Sequence, residues 1–421
     1  MIRTILGIAF IAFVSYPIIG ALKWSIGVIC YNFLFKYKQQ AWLNIDEKIE
    51  PFITIMVPAH NEEVVIERTI NYLASKIVYT NYEILVMDDG STDRTPEILA
   101  TLQEKIARLR VLRIEKNKGK AHAFNVGLAF TKGRLILSND ADTLPEPYAL
   151  KKYVSYFLSP ESNNIAAITA NMDVNNRSKL IGKSQTVEFS SIVGIIKRTQ
   201  AGVFGGIYAY SGANTMYRKA ALIDVGLFRQ DRATEDISIA WDHQEKSWLS
   251  IFAPEIVFYM QVPETIPDLY RQRKRWAKGG TEVWFTNFTK ILRHPFKRIG
   301  LTVMFIDQTF SILWSFFFWL SSLFFLALFI VQIFGQDWQS LYYTLTLSLI
   351  FISFEMIAGL IQLITALIVD DSSRKIKYLM FAPLYMLFYW IINAVTIVTT
   401  FIPAFKTIVG RGSGTWVSPK R

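Results

Sequence analysis

The stretch Tyr82–Asp93 reads YEILVMDDGSTD, an apolar run that stops abruptly at polar residues. Its first half is typical of a strand that is buried on both faces, and its second half is typical of the turn that ends such a strand. The same arrangement recurs at Phe52–Pro58 (FITIMVP) and at Leu135–Asp142 (LILSNDAD). The sequence therefore predicts several buried strands that each end in a polar loop.

Segments with helical periodicity lie between these strands. They are Glu63–Ser75, Thr95–Ala107 with Pro96 in its first turn, and Lys120–Thr131, and a further short strand is predicted at Val111–Ile114. Alternation of strands and helices predicts an α/β domain with a mostly parallel sheet. In such sheets ligands bind beyond the carboxyl ends of the strands, where the acidic loops of this chain occur.

Charged residues make up 19% of the 421 residues, against about 25% in a typical soluble protein. The deficit is concentrated in stretches that carry no charge, or Glu355 alone: residues 5–22, 308–336, 338–369 and 378–405. Each is long enough to cross the hydrocarbon core of a bilayer as a helix. A segment of ordinary soluble composition separates the first stretch from the second, which excludes both a purely soluble enzyme and a transporter made only of helices.

We predict five parts of the chain from this pattern. They are an N-terminal transmembrane anchor (1–35), a large α/β domain (36–280), an amphipathic segment lying in the membrane interface (281–306), about three transmembrane helices (307–405) and a basic tail (406–421). Lys and Arg residues flank the large domain and also lie within the 370–377 loop. Loops rich in Lys and Arg usually lie on the cytoplasmic side of a membrane. We therefore expect a multi-pass plasma-membrane protein with a cytoplasmic domain, while the side of the tail stays open.

The net charge of +11 is compatible with nucleic acid, anionic lipid or an anionic substrate. The basic residues flank the membrane stretches and form no single stripe interleaved with aromatic residues, so a nucleic-acid partner is disfavoured. The one cysteine, Cys30, excludes an intrachain disulfide and a cysteine-based metal site.

Two acidic loops each allow a structural and a functional interpretation. Asp140 and Asp142 can face one site together, and Mg²⁺ prefers one or two carboxylates plus phosphates and water, but such pairs are also common in solvated turns. The Asp88–Asp93 loop can end a strand and cap a helix, or bind a nucleotide base or ribose. These two interpretations of the second loop are compatible.

Two later motifs also allow both a structural and a functional interpretation when each is taken alone. Thr234-Glu235-Asp236 precedes a helical run, so it can cap that helix or supply a carboxylate general base. In the run QRKRW, the residues Gln272, Arg275 and Trp276 share one face of a helix. This face suits a diphosphate and a sugar, although a basic helix flanking a membrane is the alternative.

Taken together and in this order, the motifs resemble the membrane-embedded processive glycosyltransferases of family 2, which include cellulose, chitin, hyaluronan and poly-β-1,6-N-acetylglucosamine synthases. The stretches that carry the resemblance are Pro58–Glu62, Asp88–Asp93, Asn117–Ala121, Asp140–Asp142, Thr234–Asp236 and Gln272–Trp276. Further stretches are most similar to the bacterial poly-β-1,6-N-acetylglucosamine synthases: 182–188, 194–200, 262–265, 276–280 and 416–419. Asn139 and the stretch Ala201–Ser211 depart from the family pattern.

The resemblance implies a GT-A-like domain, with a mixed and mostly parallel sheet, that binds a UDP-sugar and Mg²⁺ or Mn²⁺. The metal ligands would be Asp142 and Asp140; the residues binding the nucleotide sugar would be Asp89, Lys120, Asp140, Gln272 and Arg275. Asp236, beside Glu235, would be the general base, and Trp276 would stack on the acceptor sugar.

The resemblance also implies a processive, inverting enzyme. It would polymerise UDP-N-acetylglucosamine into poly-β-1,6-N-acetylglucosamine, a biofilm exopolysaccharide, and move the growing polysaccharide across the membrane. Membrane lipid and a small membrane accessory subunit are the other implied partners. The alternatives are a chitin- or hyaluronan-like synthase, a non-processive enzyme that loads sugar onto a lipid phosphate, and a membrane-anchored nucleotide sensor or transport subunit with a degenerate domain. A degenerate domain would have lost the acidic residues that are present here. Sugar, linkage, oligomeric state and control by a second messenger stay open.

Overall fold

A computed structural model describes residues 2–36, 43, 49–159, 162–370 and 374–411 of the chain. Most of the predicted basic tail, from residue 412 onward, and most of the link between the first helix and the large domain therefore lie outside the described residues.

The large domain contains one mixed sheet of eight strands within the described residues, in the order β3-β2-β1-β4-β7-β6-β8-β5. The strands are β1 (Ile53–Ala59), β2 (Tyr82–Asp89), β3 (Leu109–Ile114), β4 (Leu135–Asn139), β5 (Leu144–Pro145), β6 (Ile165–Val174), β7 (Asn214–Arg218) and β8 (Leu249–Met260). The first four strands are parallel to one another, β7 is antiparallel to both neighbours, β6 and β8 are parallel, and β5 is antiparallel to β8. The predicted α/β fold with a mixed, mostly parallel sheet is confirmed.

The apolar runs of the sequence fill two hydrophobic cores, one on each face of the sheet. Ile55 of β1 and Ile84 of β2 belong to one core, while Met56 and Leu85 belong to the other. Successive side chains of a strand point to opposite faces, so a continuous apolar run is what a sheet covered on both sides requires. This pattern is why the sequence alone predicts the parallel strands.

Helices cover both faces of this sheet. In chain order they are Ile66–Ser75, Thr95–Lys105, Lys120–Leu128, Ala149–Phe157, Leu180–Phe189, Lys219–Asp224 and Glu235–Glu245, with a short 3₁₀ turn at Ser162–Asn164. The helix Leu180–Phe189 continues through π turns at Ser190–Ile196 and Gln200–Phe204, joined by Lys197–Thr199. This continuous helical stretch, 180–204, lies between the large domain and the membrane helices.

Four helical segments of the described residues are long and apolar enough to cross a membrane. They are Ser15–Leu34 of the first helix (Ile2–Leu34), Ile299–Phe334, Trp338–Val369 and Ile376–Ile408, the last built from Ile376–Phe381, Ala382–Leu384, Tyr385–Tyr389 and Trp390–Ile408. Large apolar side chains such as Phe324 and Leu349 are exposed on these helices, as expected where lipid is the solvent. The protein is therefore a multi-pass membrane protein with a soluble domain.

The interfacial segment predicted at 281–306 is not a single helix. One helix, Ile266–Arg293, runs past the predicted domain boundary at residue 280, and the next helix begins at Ile299. The break falls at His294 and Pro295, because a proline disfavours helical conformation in the residue before it and lacks an amide donor. Trp284 stacks on Phe305 with ring centroids 5.8 Å apart, whereas Phe296 is exposed, so the aromatic residues of this segment do not share one environment.

A buried polar cluster joins the membrane helices to the sheet. Asp370, which follows Trp338–Val369, accepts hydrogen bonds from Lys375 (2.7 Å), Ser190 (2.9 Å) and Asn171 of β6 (3.1 Å). Lys375 also lies 2.9 Å from Asp173 of β6. Burying a charge is tolerated only when it is paired and hydrogen-bonded, so this cluster fixes the position of the membrane helix relative to the sheet.

The close contact between the first membrane helix and the 180–204 helix predicts a stability effect. A methyl group added at Gly27 would overlap the side chain of Thr199. We expect Gly27→Ala to lower the free energy of unfolding by about 1–3 kcal/mol, the usual cost of overpacking, measured as a lower melting temperature of the detergent-solubilised protein. Gly20→Ala is the matched control, since nothing lies within 4 Å of a methyl group added there. Equal melting temperatures for the two variants would contradict this packing.

Candidate functional site

A cavity of about 720 Å³ opens at the carboxyl ends of β1, β2 and β4. These strands are parallel, so their ends meet at one edge of the sheet and bring together residues that are far apart in the sequence. The predicted site residues that line it are Asp89, Lys120, Asp140, Asp142, Gln272 and Arg275. Residues Val262–Glu264 and the helix Ile266–Arg293 form the opposite wall.

Asp89 ends β2 and is held by backbone amides. Its carboxylate accepts hydrogen bonds from the amides of Gly119 (2.8 Å) and Lys118 (3.2 Å). Gly119 has φ of +90°, a conformation that glycine adopts without strain. Burial raises the pKa of Asp89 even though these amides oppose the shift.

The Asp88–Asp93 loop has both a structural and a cavity-facing part. Asp88 accepts a hydrogen bond from the amide of Ser91, and Asp93 accepts one from the amide of Thr95 at the start of the next helix. Asp88 therefore closes the predicted turn and Asp93 binds the first amide of the helix, while Arg94 at the N-cap position makes no side-chain capping bond. Asp89, between Asp88 and Asp93, lines the cavity, so the structural interpretation holds for part of this loop, and nucleotide binding by Asp89 stays a prediction.

Lys120 connects the acidic loops at the inner end of the cavity. Its Nζ lies 2.5 Å from Oδ1 of Asp140 and 3.4 Å from Oε1 of Glu235, and it donates to the carbonyl of Gly212 at 3.2 Å. Burial alone would lower the pKa of Lys120, but these acids outweigh it and raise the pKa. Lys120 is therefore a permanent cation that bridges the loop after β4 and the start of the helix Glu235–Glu245.

Asp236 lies in the first turn of that helix, behind the cavity. Its Oδ2 accepts a hydrogen bond from the amide of Gly212 at 3.1 Å. Burial and the neighbouring Glu235 raise the pKa of Asp236 to about 6, within the range suited to a general base near neutral pH. Thr234 makes no side-chain capping bond, so the interpretation of Thr234 as a helix cap is wrong.

Gly212 is a part of the site that sequence reasoning missed. A methyl group there would approach Nζ of Lys120 to 2.8 Å and Oε1 of Glu235 to 3.1 Å, so a larger residue would require the Lys120 side chain to shift. It directly follows the Ala201–Ser211 stretch that departs from the family pattern. The sole signal in the sequence is the run of small residues Ser211-Gly212-Ala213 before β7.

His60 is a second missed residue. It lines the cavity, and its Nδ1 lies 2.8 Å from the carbonyl oxygen of Asp89. Its position in the Pro58–Glu62 motif is a sequence feature that could have indicated a place in the site. The four histidines of the chain are scattered in the sequence, so their positions suggest no common site.

The three residues of the Q-x-x-R-W motif do not share one environment. Their helix begins after Thr265, whose hydroxyl accepts a hydrogen bond from the amide of Asp268. Gln272 and Arg275 line the cavity. Trp276 is half-buried, packs against the second hydrophobic core, and is not among the residues lining the cavity.

Asp140 and Asp142 offer a carboxylate pair that fits a divalent cation completed by a ligand. Both line the cavity, and no group of three or more His, Cys, Asp or Glu side chains suited to a metal occurs in the part of the chain that the structure describes. Two carboxylates leave coordination positions for phosphate and water, which is the arrangement that Mg²⁺ prefers. One oxygen of Asp140 is engaged by Lys120, which leaves the second oxygen available.

Comparison with known proteins identifies the fold and the family. The model of Glycosyl transferase family 2 matches residues 54–226. The chain is 32% identical over 411 residues to the poly-beta-1,6-N-acetyl-D-glucosamine synthase of Staphylococcus epidermidis, covering 96% of this chain and 97% of the relative. It is also 32% identical over 413 residues to the synthase of the same name from Staphylococcus aureus, with the same shares covered.

A solved structure shares the fold. A mannosyltransferase from Pyrobaculum calidifontis, in complex with GDP-Man and Mn²⁺, has a TM-score of 0.58 with 93% of this chain and 99% of that chain covered, at 16% identity. This likeness shows the fold alone, and the predicted GT-A-like fold is confirmed. Because the similarity to the staphylococcal synthases extends over nearly the whole length of both proteins, the chain belongs to glycosyl transferase family 2 and is a membrane-embedded glycosyltransferase of that family.

Proposed function

We propose that this protein polymerises UDP-N-acetylglucosamine into poly-β-1,6-N-acetylglucosamine and passes the growing chain across the plasma membrane. One observation carries the proposal: the acids suited to a nucleotide sugar, Asp89, Asp140 and Asp142, share a cavity whose inner end is Lys120, and Lys120 also contacts Glu235 beside the candidate base Asp236. A donor bound in this cavity would lie close to the candidate base. The names of the relatives support the choice of sugar and linkage.

The donor end of the cavity would bind the UDP moiety. Asp89 would hold the uridine, while Lys120, Gln272 and Arg275 would face the diphosphate and sugar. Arg275 supplies a planar, permanently charged guanidinium, which suits a diphosphate. Asp142, with Asp140, would hold Mg²⁺ or Mn²⁺, whose chemistry is to neutralise charge on the departing diphosphate.

The acceptor end would contain the base. Asp236 would take the proton from the acceptor hydroxyl as its oxygen attacks the anomeric carbon and the bond to UDP breaks. Attack opposite the leaving group converts an α-linked donor into a β-linked product. Gly212 holds Asp236 by its amide and Lys120 by its carbonyl, so one peptide segment would fix the base relative to the donor.

The membrane helices follow the Q-x-x-R-W helix directly, which suits passage of the product from the site into the membrane. The catalytic domain would face the cytoplasm, where UDP-sugars occur and where its basic flanks belong. A small membrane accessory subunit and membrane lipid remain proposed partners.

The direct test is to incubate membranes containing the protein with labelled UDP-N-acetylglucosamine and to digest the product with linkage-specific glycosidases. We expect a long polymer that only a β-1,6-specific enzyme degrades. A polymer cut by chitinase or hyaluronidase would identify a different synthase, and a single sugar on lipid would identify a non-processive transferase.

The paired carboxylates predict dependence on a divalent cation. We expect Asp142→Asn to lower polymer synthesis at least about 100-fold, because a metal loses a charged ligand, while the protein still inserts into membranes. Incorporation of labelled sugar measures the effect. Asp224→Asn, at an exposed site that pairs with Lys246, is the matched control. Full activity of the unmodified protein in excess chelator would contradict the metal site.

The position of Asp236 predicts a separation of binding from chemistry. Asp236→Asn should lower transfer at least about 100-fold, since the amide cannot accept the proton, while UDP affinity stays within about threefold. Titration of UDP onto the purified variant measures the second quantity. A loss of UDP affinity equal to the loss of turnover would assign Asp236 to the nucleotide site instead.

The pH profile provides an independent check on this base. Because the pKa of Asp236 is about 6, the active carboxylate form decreases as the pH falls through 6, and kcat/KM should fall with it. Above pH 6 Asp236 is already in its carboxylate form, so its titration should cause no further change in kcat/KM.

The indole of Trp276 predicts an effect on product length. Trp276→Ala should release the chain between additions and shorten the product about tenfold, since loss of a stacked ring costs roughly 1–3 kcal/mol, at a nearly normal KM for the donor. Trp276→Phe should restore part of the length. Gel sizing of the product, together with protein recovery, tests this. Polymer of normal length from a poorly recovered variant would make Trp276 a membrane anchor only.

A further inference from the structure

A buried ion pair lies behind Trp276 and is made by residues that the reaction scheme does not use. Nη2 of Arg273 lies 2.6 Å from Oε2 of Glu188, and each side chain is only 3% exposed. Arg273 occupies one of the two unassigned positions in the Q-x-x-R-W motif. Glu188 belongs to the Gly182–Glu188 stretch, which resembles the family but has no role in the proposed chemistry.

The other side of the Arg273 guanidinium faces the indole. Its central carbon lies 4.1 Å from the ring centroid of Trp276. Nε and Nη1 of Arg273 have no hydrogen-bond partner among the residues that the structure describes. A guanidinium over an aromatic face attracts the ring through its charge, so the indole and Glu188 are the two groups that hold the buried Arg273 cation.

The helix that carries Glu188 is fixed to two other parts of the protein. On the same helix, Ser184 donates a hydrogen bond to the hydroxyl of Tyr389 at 2.9 Å, in the last membrane segment. Gln185 donates one to the carbonyl of Pro263 at 2.7 Å, at the wall of the cavity. The chain of contacts therefore runs from a membrane helix through Glu188 and Arg273 to the ring of Trp276.

Stability alone does not account for this pair. Replacing a buried ion pair by well-packed apolar residues is often neutral or stabilising, whereas the pair imposes a defined geometry. Arg273 covers one face of the indole, so a sugar would meet the other face or the ring edge. The Glu188–Arg273 pair thus fixes the orientation of the Trp276 ring from the face that Arg273 covers.

We propose that Glu188 and Arg273 are positioning residues that hold the Trp276 ring in the orientation that binds the acceptor sugar. The inference rests on the proposed function, because it assumes that Trp276 contacts the growing chain. Neither residue of the pair touches substrate. Their effect on the reaction passes through the indole.

The test compares product length in four variants: Arg273→Lys, Trp276→Ala, the two combined, and Lys274→Gln. Lysine keeps the charge and the length of the side chain but loses the planar stacking surface. We expect Arg273→Lys to shorten the product at least about threefold at an unchanged KM for UDP-N-acetylglucosamine. Lys274→Gln, an exposed neighbour on the same helix, should make product of normal length.

The combined variant decides whether the effect passes through Trp276. Residues that act through one contact are not additive, so Arg273→Lys should cause no further shortening in the Trp276→Ala protein. Equal shortening in both backgrounds, or product of normal length from Arg273→Lys, would overturn the positioning role. If Trp276→Ala itself makes polymer of normal length, the acceptor role of Trp276 fails as well.

A double variant keeps the test valid if Arg273→Lys is poorly recovered. Glu188→Gln combined with Arg273→Gln replaces the ions by two neutral amides that can hydrogen-bond to each other. Shortened product from this well-folded double variant supports the proposal, and product of normal length overturns it.

Discussion

The arrangement of the whole site depends on one buried ammonium group. Lys120 lies 2.5 Å from Asp140 and 3.4 Å from Glu235, and a buried charge of this kind is stable only among opposite charges. The two acids come from different elements, the loop after β4 and the start of the helix Glu235–Glu245. Their shared cation forces these elements together, and it places the candidate base Asp236 next to the carboxylates that would face a nucleotide sugar. Gly212, which has no side chain to intrude, completes the contact.

The helical stretch 180–204 joins this site to the membrane. Gly27 of the first membrane helix packs against Thr199, and Ser190 contacts Asp370 at the end of another membrane helix. The same stretch supplies Glu188, which pairs with Arg273 behind Trp276. The catalytic domain and the membrane helices are therefore packed together through a shared helix.

Much of the fold could be predicted because buried segments require apolar residues that are close together in the sequence. The apolar runs of β1, β2 and β4 and the uncharged stretches of the membrane helices are both consequences of burial in an apolar environment. The segment 281–306 does not form one helix as predicted, because one helix ends at Arg293 and the next begins at Ile299. Trp284 and Phe285, which resemble membrane anchors in sequence, pack on Phe305 and Phe401. The sequence contains the proline that ends the preceding helix, but the aromatic and basic composition of the segment favoured one continuous interfacial helix.

The sequence by itself determined the membrane class, the strands and the acidic residues at their ends, since each depends on neighbouring residues in the chain. It also carried the family motifs that predict the residues of the cavity. Only the tertiary structure decided which acid meets which cation, that Trp276 lies beside the cavity rather than on its wall, that Gly212 and His60 contact residues of the cavity, and that Glu188 pairs with Arg273 behind Trp276. These facts depend on contacts between residues that are up to about a hundred positions apart, such as Lys120 with Gly212 and Glu188 with Arg273. The local sequence around either residue does not specify such a contact.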